Sequence, residues 1–236
     1  MNIDNQNYKN ISDSNSFKIN PFVTNNCDYL ELIRPRILCR KFKIKEILYH
    51  ANDSFKNIYF VNSGIIKTFK TSSNGIESIS GFQMSGEWAG LESIGNENHS
   101  NYAQALVDSD VYVINYQLFL EALQTSHSAL SRFNKTLSNE INRNTNLINI
   151  LKNSRREKKI IVFLMGISHQ NASSNSNDQE FDLKMSRGDI SSYLSISREE
   201  ISRILQKLEN NGLIFVKNRH ISLLNIPKLN AMCGNA

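Results

Sequence analysis

The chain has 236 residues, and 27 Lys and Arg against 22 Asp and Glu give it a formal charge of +5. This length allows one large or two small domains, with a real buried core. Hydrophobic residues make up 40% and charged residues 21%, which excludes a wholly disordered protein. No apolar run reaches the roughly 18 residues of a membrane span, and the polar N-terminus lacks the apolar core of a secretory signal. We therefore expect a cytoplasmic protein with no membrane partner.

The positive charge is concentrated in the last third of the chain. Residues 152–236 hold 13 basic and 8 acidic side chains, whereas residues 1–151 hold 14 of each. A basic segment attached to a neutral one indicates an anionic partner, and nucleic acid is the first candidate. Basic side chains that serve only solubility are the alternative.

The sequence lacks the motifs of common enzymes and metal sites. Cys27, Cys39 and Cys233 are an odd number of cysteines with no C-x-x-C or zinc-finger spacing, which argues against a disulfide framework or a structural zinc site. H-E-x-x-H, G-x-S-x-G and G-x-x-x-x-G-K-[ST] do not occur. We therefore expect no catalytic residues and no metal site, and the protein is predicted not to be an enzyme.

Short β-strands are predicted after an N-terminal tail. Residues 1–27 are rich in Asn and Ser and are expected to be flexible. Between residues 28 and 125, short apolar or alternating runs are separated by turn residues, which is typical of an antiparallel barrel or sandwich. Asn74-Gly75 is the strongest hairpin signal, because both central positions of the favoured two-residue turn need a positive φ.

The hydrophobic period changes over residues 126–152, where apolar side chains recur at gaps of three, four and seven. This spacing predicts one stripe of a helix about six turns long. Asn144 occupies one position of the stripe, and a single polar residue there often fixes the register of paired helices. The pattern favours a dimerisation helix, and a helix packed on its own domain is the alternative. The predicted seam comprises Leu130, Phe133, Leu137, Ile141, Asn144, Ile148 and Leu151.

Residues 153–236 contain two helix starts only 11 residues apart. Ser186 with Asp189, and Ser197 with Glu200, match the capping box, in which a hydroxyl and an acid satisfy the first amides of a helix. The pattern predicts helices at about 187–194 and 198–210, joined by a turn of about three residues. Gly212 suits a left-handed cap at the end of the second helix. Two short helices joined in this way form a helix-turn-helix.

A hairpin is predicted directly after these helices, from residues 213–216 and 220–224, and it would form the wing of a winged helix. If the second helix enters the major groove of DNA, its outward N-terminal positions would read base edges. An (i, i+4) ion pair between Glu199 and Arg203 on a solvated face is the alternative. The predicted DNA contacts are Arg198, Glu199, Ser202, Arg203, Ser186, Arg187, Ser197, Lys217 and Arg219.

Several segments resemble, in order, those of the Crp–Fnr superfamily of bacterial transcription regulators, and the Fnr branch most closely. They are Ser63–Lys67, Gly81-Phe82, Gly86-Glu87, Tyr102–Leu106 and the helix-turn-helix, and the resemblance extends from about residue 28 onward. The implied fold is α+β, with an N-terminal antiparallel β-roll of the cyclic-nucleotide-binding type, a long dimerisation helix and a C-terminal winged helix-turn-helix.

The resemblance also implies partners. Its E-x-x-S-R signature falls on Glu199, Ser202 and Arg203, which would read a two-fold-symmetric site of the TTGAT…ATCAA type in double-stranded DNA, with Arg203 on the guanine. Regulators of this family activate or repress transcription by contacting RNA polymerase. In this chain the implied contact surface is the hairpin loop that contains Ser72, Asn74 and Gly75.

The chain departs from the family where signals bind. Fnr proteins hold a [4Fe–4S] cluster through N-terminal cysteines and one later cysteine, but no cysteine precedes Cys27 here and Tyr112 stands at the later position. The cyclic-AMP branch needs a Gly-Glu pair and an Arg for the phosphate, and residues 100–103 contain no arginine. We expect neither an iron–sulfur cluster nor a cyclic nucleotide. A regulator whose DNA binding depends on an unidentified effector in the β-roll is the alternative.

Overall fold

The computed structural model describes residues 8–10, 30, 37–172 and 179–234. The chain forms two compact units, Met1–Glu140 and Ile141–Ala236. Most of the tail expected over residues 1–27 lies outside the described residues, and the boundary expected near residue 152 stays a prediction. In the described part of the chain, no helix is long and apolar enough to cross a membrane.

The N-terminal unit contains two antiparallel sheets, which confirms the predicted β-roll. A five-stranded sheet has the order β1-β2-β9-β4-β7, and a four-stranded sheet has the order β3-β8-β5-β6. The strands are β1 (Tyr8–Asn10), β2 (Leu38–Phe42), β3 (Ile47–Tyr49), β4 (Asn57–Ser63), β5 (Ile65–Thr71), β6 (Glu77–Met84), β7 (Trp88–Ala89), β8 (Tyr102–Ala105) and β9 (Ser109–Asn115).

The central strand β4 is buried on both faces. Ile58 and Phe60 lie in one hydrophobic cluster, whereas Tyr59 and Val61 lie in a second cluster on the opposite face. Successive side chains of a strand point to opposite faces, so burial of both faces requires an unbroken apolar run. This explains why the sequence of β4 does not alternate between apolar and polar residues.

The hairpin predicted at Asn74-Gly75 joins β5 to β6, but its turn differs from the expected one. The loop spans residues 72–76, and only Gly75 has a positive φ, of 79°. The prediction of a two-residue turn with two positive φ angles is therefore wrong. Ser72 closes the longer loop, because its backbone amide donates to the carbonyl of Ile76 at 3.0 Å and its hydroxyl accepts from the amide of Ile76 at 3.2 Å.

Two helices follow the sheets, α1 (Tyr116–Gln124) and α2 (His127–Asn153). The side chain of Asn115 caps α1 by accepting from the amide of Leu118 at 3.1 Å. The 27 residues of α2 confirm the long helix that the hydrophobic period predicts. The division between the two compact units falls within α2, at Glu140.

Phe133 requires a correction, because it belongs to the core of its own unit rather than to an intermolecular seam. It is 3% exposed, and its ring centroid lies 4.8 Å from that of Phe119 and 6.3 Å from that of Trp88. Leu137 is half-buried against the same cluster. The remaining apolar seam positions are exposed or half-buried, namely Leu130, Ile141, Ile148 and Leu151.

The C-terminal unit surrounds a three-stranded sheet of order β10-β12-β11. Its elements are α3 (Arg156–Ala172), β10 (Glu180–Asp182), α4 (Arg187–Leu194), α5 (Arg198–Asn210), β11 (Ile214–Lys217), β12 (His220–Leu223) and α6 (Ile226–Gly234). The helix-turn-helix and the wing are therefore where the sequence predicts them. The third strand, β10, was not predicted.

We predict that Phe133→Ala destabilises the N-terminal unit by about 3–5 kcal/mol, because it removes a buried aromatic ring from the core. Trp88 is the only tryptophan of the chain and borders the same cluster, so its fluorescence during urea unfolding measures the effect. Ile44→Ala is the matched control, since Ile44 is 58% exposed on the β-roll and should change stability by about 0.5 kcal/mol or less. Equal losses in the two variants would contradict the assignment of Phe133.

Candidate nucleic-acid interface

The start of α4 is held by a complete capping box. The hydroxyl of Ser186 accepts from the amide of Asp189 at 3.0 Å, and the carboxylate of Asp189 accepts from the amide of Ser186 at 2.9 Å. Both contacts satisfy amides that have no partner within the helix. The predicted box at Ser186 is confirmed.

The second predicted capping box, at the start of α5, is only half formed. The hydroxyl of Ser197 accepts from the amide of Glu200 at 3.3 Å, but the carboxylate of Glu200 accepts from Nη1 of Arg156 at 2.6 Å instead of reaching back. A charge-assisted hydrogen bond from a guanidinium is stronger than one from an amide. A second ion pair, 3.0 Å between Nζ of Lys207 and Oε2 of Glu157, also joins α5 to α3.

The turn between α4 and α5 consists of Ser195, Ile196 and Ser197. Ser195 is left-handed, with φ 54°, and its amide donates to the carbonyl of Ser191. Ile196 is 3% exposed, so the turn is anchored by an apolar side chain as well as by the backbone. This tight connection sets the position of α5 relative to α4.

The outward face of α5 carries the four side chains that the sequence predicts there. Arg198, Glu199, Ser202 and Arg203 are exposed, whereas Ile201 and Leu205 on the other face are buried. Among the residues that the structure describes, no ion pair joins Glu199 to Arg203, so the alternative of a paired solvated face is not observed. The hydroxyl of Ser202 donates to the carbonyl of Arg198 at 3.0 Å and keeps its lone pairs for acceptance.

Gly188 lies against the side chain of Arg198, a contact that the sequence did not predict. A Cβ atom added there would lie 2.7 Å from Nη2 and 3.1 Å from Cζ of Arg198. The guanidinium of Arg198 therefore lies directly over the backbone of α4. The available signal was a glycine within a short helix, since glycine is a poorer helix former than alanine.

The wing is attached by polar contacts to α5 and to the segment that follows β10. The carboxylate of Glu209 on α5 accepts from the amide of Val216 at 2.9 Å, and the amide of Leu183 donates to the carbonyl of Arg219 at 2.8 Å. Asn218 turns the hairpin with φ 59°. Lys217 and Arg219 flank this turn and are exposed, as their assignment to DNA requires.

Asp182 supports the wing from β10. It pairs with Lys184 at 3.1 Å and with His220 at 3.1 Å, and hydrogen bonds first from Lys184 and then from His220 hold the pKa of the carboxyl below its usual range. This carboxylate is therefore ionised at neutral pH beside the basic wing.

The remaining predicted DNA contacts lie at the two helix starts. The hydroxyls of Ser186 and Ser197 act as caps, and Arg187 is half-buried, which lowers the pKa of its guanidinium. Their contact with DNA stays a prediction. The hairpin loop assigned to RNA polymerase lies in the N-terminal unit, and Ser72, Asn74 and Gly75 are exposed there.

The inner face of the four-stranded sheet does not fit a cyclic nucleotide. The residues paired across β8, β5 and β6 on this face are Ala105, Ile66 and Gln83, followed by Ala103, Thr68 and Gly81, and none is a cation. His99 is 3% exposed and stacks on Tyr49 with a ring-centroid distance of 3.9 Å, and burial lowers its pKa, which disfavours a positively charged ring. A phosphate would have no bidentate cationic partner on this face.

The described cysteines are also poorly placed to hold a cluster. Cys39 lies on β2 of the N-terminal unit and Cys233 on α6 of the C-terminal unit, while Cys27 lies outside the described residues. Burial, and then Asp110, raise the pKa of the Cys39 thiol, which disfavours the thiolate that a cluster needs. Within the described ranges, no group of three His, Cys, Asp or Glu residues could hold a metal ion. The absence of a cluster stays a prediction.

Comparison with known families and curated proteins agrees with the two units. Residues 39–126 match the family described as "Cyclic nucleotide-binding domain", and residues 158–232 match "Crp-like helix-turn-helix domain". The chain is 30% identical over 217 residues to the fumarate and nitrate reduction regulatory protein of Salmonella typhimurium, covering 91% of this chain and 86% of that protein. It is 31% identical over 191 residues to electron transport regulator A of Shewanella oneidensis, covering 81% and 76%.

Several solved structures resemble this chain in fold. FixK2 from Bradyrhizobium japonicum matches with a TM-score of 0.76 and 23% identity, over 85% of this chain and 98% of that one. A CRP-family transcriptional regulator from Thermus thermophilus matches with a TM-score of 0.65 and 19% identity, over 84% and 97%. At this level of identity the likeness establishes the fold.

We predict that Gly188→Ala weakens DNA binding several-fold without loss of stability. The added methyl group displaces the guanidinium of Arg198, whereas alanine is at least as favourable as glycine in a helical backbone conformation. Fluorescence anisotropy with labelled duplex DNA and thermal unfolding measure the two effects. Gly166→Ala in α3 is the matched control, because a Cβ there meets no atom within 4 Å.

A double-mutant cycle tests the reason for this effect. In an Arg198→Ala background, Gly188→Ala should cost no further affinity, because the displaced group is already absent. An additive loss would show that Gly188 acts through something other than Arg198.

Proposed function

The chain belongs to the Crp–Fnr family of transcription regulators, and we propose that it acts in the cytoplasm as a homodimer on a two-fold-symmetric DNA site of the TTGAT type. The observation that carries this proposal is the exposed face of α5. Two guanidinium groups, a carboxylate and a hydroxyl project from consecutive turns at its N-terminal end, and the opposite face is buried.

These groups match the chemistry of base edges in the major groove. A guanidinium donates two hydrogen bonds to O6 and N7 of guanine, and a carboxylate accepts from N4 of cytosine. We assign Arg203 to the guanine of each half-site and Glu199 to a cytosine. Lys217 and Arg219 on the wing contact phosphates, which positions the protein but reads no sequence.

A homodimer would place a second recognition helix on the second half-site of the DNA. Ile141 is 65% and Ile148 is 49% exposed on one stripe of α2, with Asn144 between them. Apolar side chains at this spacing bury each other when two such helices pair, and a polar residue within the seam specifies the register. Pairing would place the two recognition helices about one helical turn of DNA apart, roughly 34 Å.

The hairpin loop at residues 72–76 is the proposed contact with RNA polymerase. Its tip is exposed and closed by the hydrogen bonds of Ser72, and Ile76 beside it is 64% exposed. A rigid loop that presents an apolar side chain loses little conformational entropy on binding a partner. We propose Ser72, Asn74 and Gly75 as the residues at this contact.

The proposed regulator works without an iron–sulfur cluster or a cyclic nucleotide. One observation favours the alternative of another effector in the β-roll. The Nδ1 atom of His99 and the Oδ1 atom of Asn101 are buried without a hydrogen-bond partner among the described residues. A small polar ligand could satisfy both atoms, and this keeps an effector-dependent regulator as the second candidate function.

We predict that Arg203→Ala reduces discrimination at a single base pair of each half-site by about 1–3 kcal/mol. Binding to a panel of duplexes with one substituted base pair, at fixed salt, measures the change. Lys217→Ala is the comparison variant. It should weaken binding to all duplexes alike, and it should reduce the slope of log K against log salt concentration by about one. If Arg203→Ala left discrimination at the guanine unchanged, the proposed readout would be wrong.

We predict that Ile141→Glu with Ile148→Glu converts the dimer into a monomer, because carboxylates in the seam cannot be buried unpaired. Sedimentation velocity measures the association state. Ile44→Glu is the matched control, since Ile44 is 58% exposed on the β-roll and should leave the dimer intact. A wild-type chain that sediments as a monomer would exclude the seam.

A further inference from the structure

The C-terminal unit contains a cavity of about 660 Å3 between the start of α3 and the helix α6. We propose that this cavity binds a nucleoside diphosphate or a small molecule of the same chemistry, with two or three negative charges and a flat ring. No residue assigned to DNA lines it. Its lining includes Ser154, Arg155, Lys158, Lys228, Ala231 and Met232.

Three positively charged side chains of the lining have no carboxylate partner among the described residues. Arg155, Lys158 and Lys228 make no ion pair among the residues that the structure describes. The carboxylate in the lining, that of Glu157, is bound to Lys207 at 3.0 Å. Like charges held around one space repel each other, and a bound anion would offset that repulsion.

The lining also has an apolar part. Met232 is half-buried and Ala231 is exposed in this lining. The thioether of methionine is polarisable and makes favourable contacts with aromatic rings. A cavity that combines cations with an apolar wall suits a phosphorylated ligand that has a ring, and Asn153 and Ser154 add polar groups for its hydroxyls.

The volume favours a nucleotide over a bare phosphate. Sites for small molecules typically occupy about 300–1,000 Å3, and they combine an apolar lining with a few polar groups. A single phosphate would fill only a small part of this space and would leave the apolar wall formed by Ala231 and Met232 uncovered. The cavity also differs from the inner face of the β-roll sheet, where no cation faces a phosphate.

A DNA backbone phosphate is the other source of the same chemistry. It would place one charge at the rim of the cavity and would leave the apolar wall empty. Nucleotide binding and DNA binding are separate measurements, so the proposed cavity ligand and the proposed DNA function stand or fall independently.

The test uses the full chain and ADP labelled with a fluorescent N-methylanthraniloyl group. We expect saturable binding, displacement by unlabelled ADP, and weaker displacement by pyrophosphate, because pyrophosphate lacks the ring. Lys228→Glu and Lys158→Gln should each weaken binding by about tenfold or more, which corresponds to the loss of one charge-assisted hydrogen bond.

Lys152→Glu is the matched control, because Lys152 is exposed one residue before the lining begins and does not line the cavity. It should change the affinity by less than about twofold. Thermal unfolding of each variant separates a lost site from a lost fold, and Lys228→Gln replaces Lys228→Glu if the latter is unstable.

Three outcomes would overturn the proposal. The probe could fail to bind, it could bind all variants equally, or duplex DNA alone could compete for it while unlabelled ADP does not. The last result would assign the three cations to the DNA backbone.

Discussion

The burial of one apolar stripe along α5 constrains the rest of the C-terminal unit. Ile201, Ile204, Leu205 and Leu208 are each less than a tenth exposed, and together they fix the rotation of the helix about its axis. Burial of such side chains contributes about 1.5–3 kcal/mol each, whereas an exposed ion pair contributes about 0–1 kcal/mol. The opposite face of α5 is therefore exposed to solvent, and its polar side chains are accessible to DNA.

Polar contacts refine the position that this burial sets. The ion pairs Arg156–Glu200 and Lys207–Glu157 bind α5 to α3, and Glu209 binds it to the wing. These partly exposed contacts add little stability, but they restrict the orientation of α5 relative to α3 and to the wing. Gly188 affects the position of one side chain, because the absence of a Cβ atom leaves space for the guanidinium of Arg198.

Much of the fold and of the interface could be predicted from the sequence, and the failures share one cause. The bounds of α4 and α5 followed from the spacing of apolar residues and from two serines that cap local amides. Glu200 departed from the capping box because Arg156, distant in sequence, competes for its carboxylate. Phe133 fits the period of a seam, but the period alone cannot distinguish the core of its own unit from a second chain.

The sequence by itself determined the long helix, the helix-turn-helix, the segregation of positive charge and the identity of the residues on the outward face of α5, because these depend on periodicity, capping and composition. Only the tertiary structure decided which partners distant residues find. It placed β10 beside β12, Arg198 over Gly188, and Lys228 of α6 beside the start of α3. Such contacts join segments far apart in the chain, and no local pattern records the packing that brings them together.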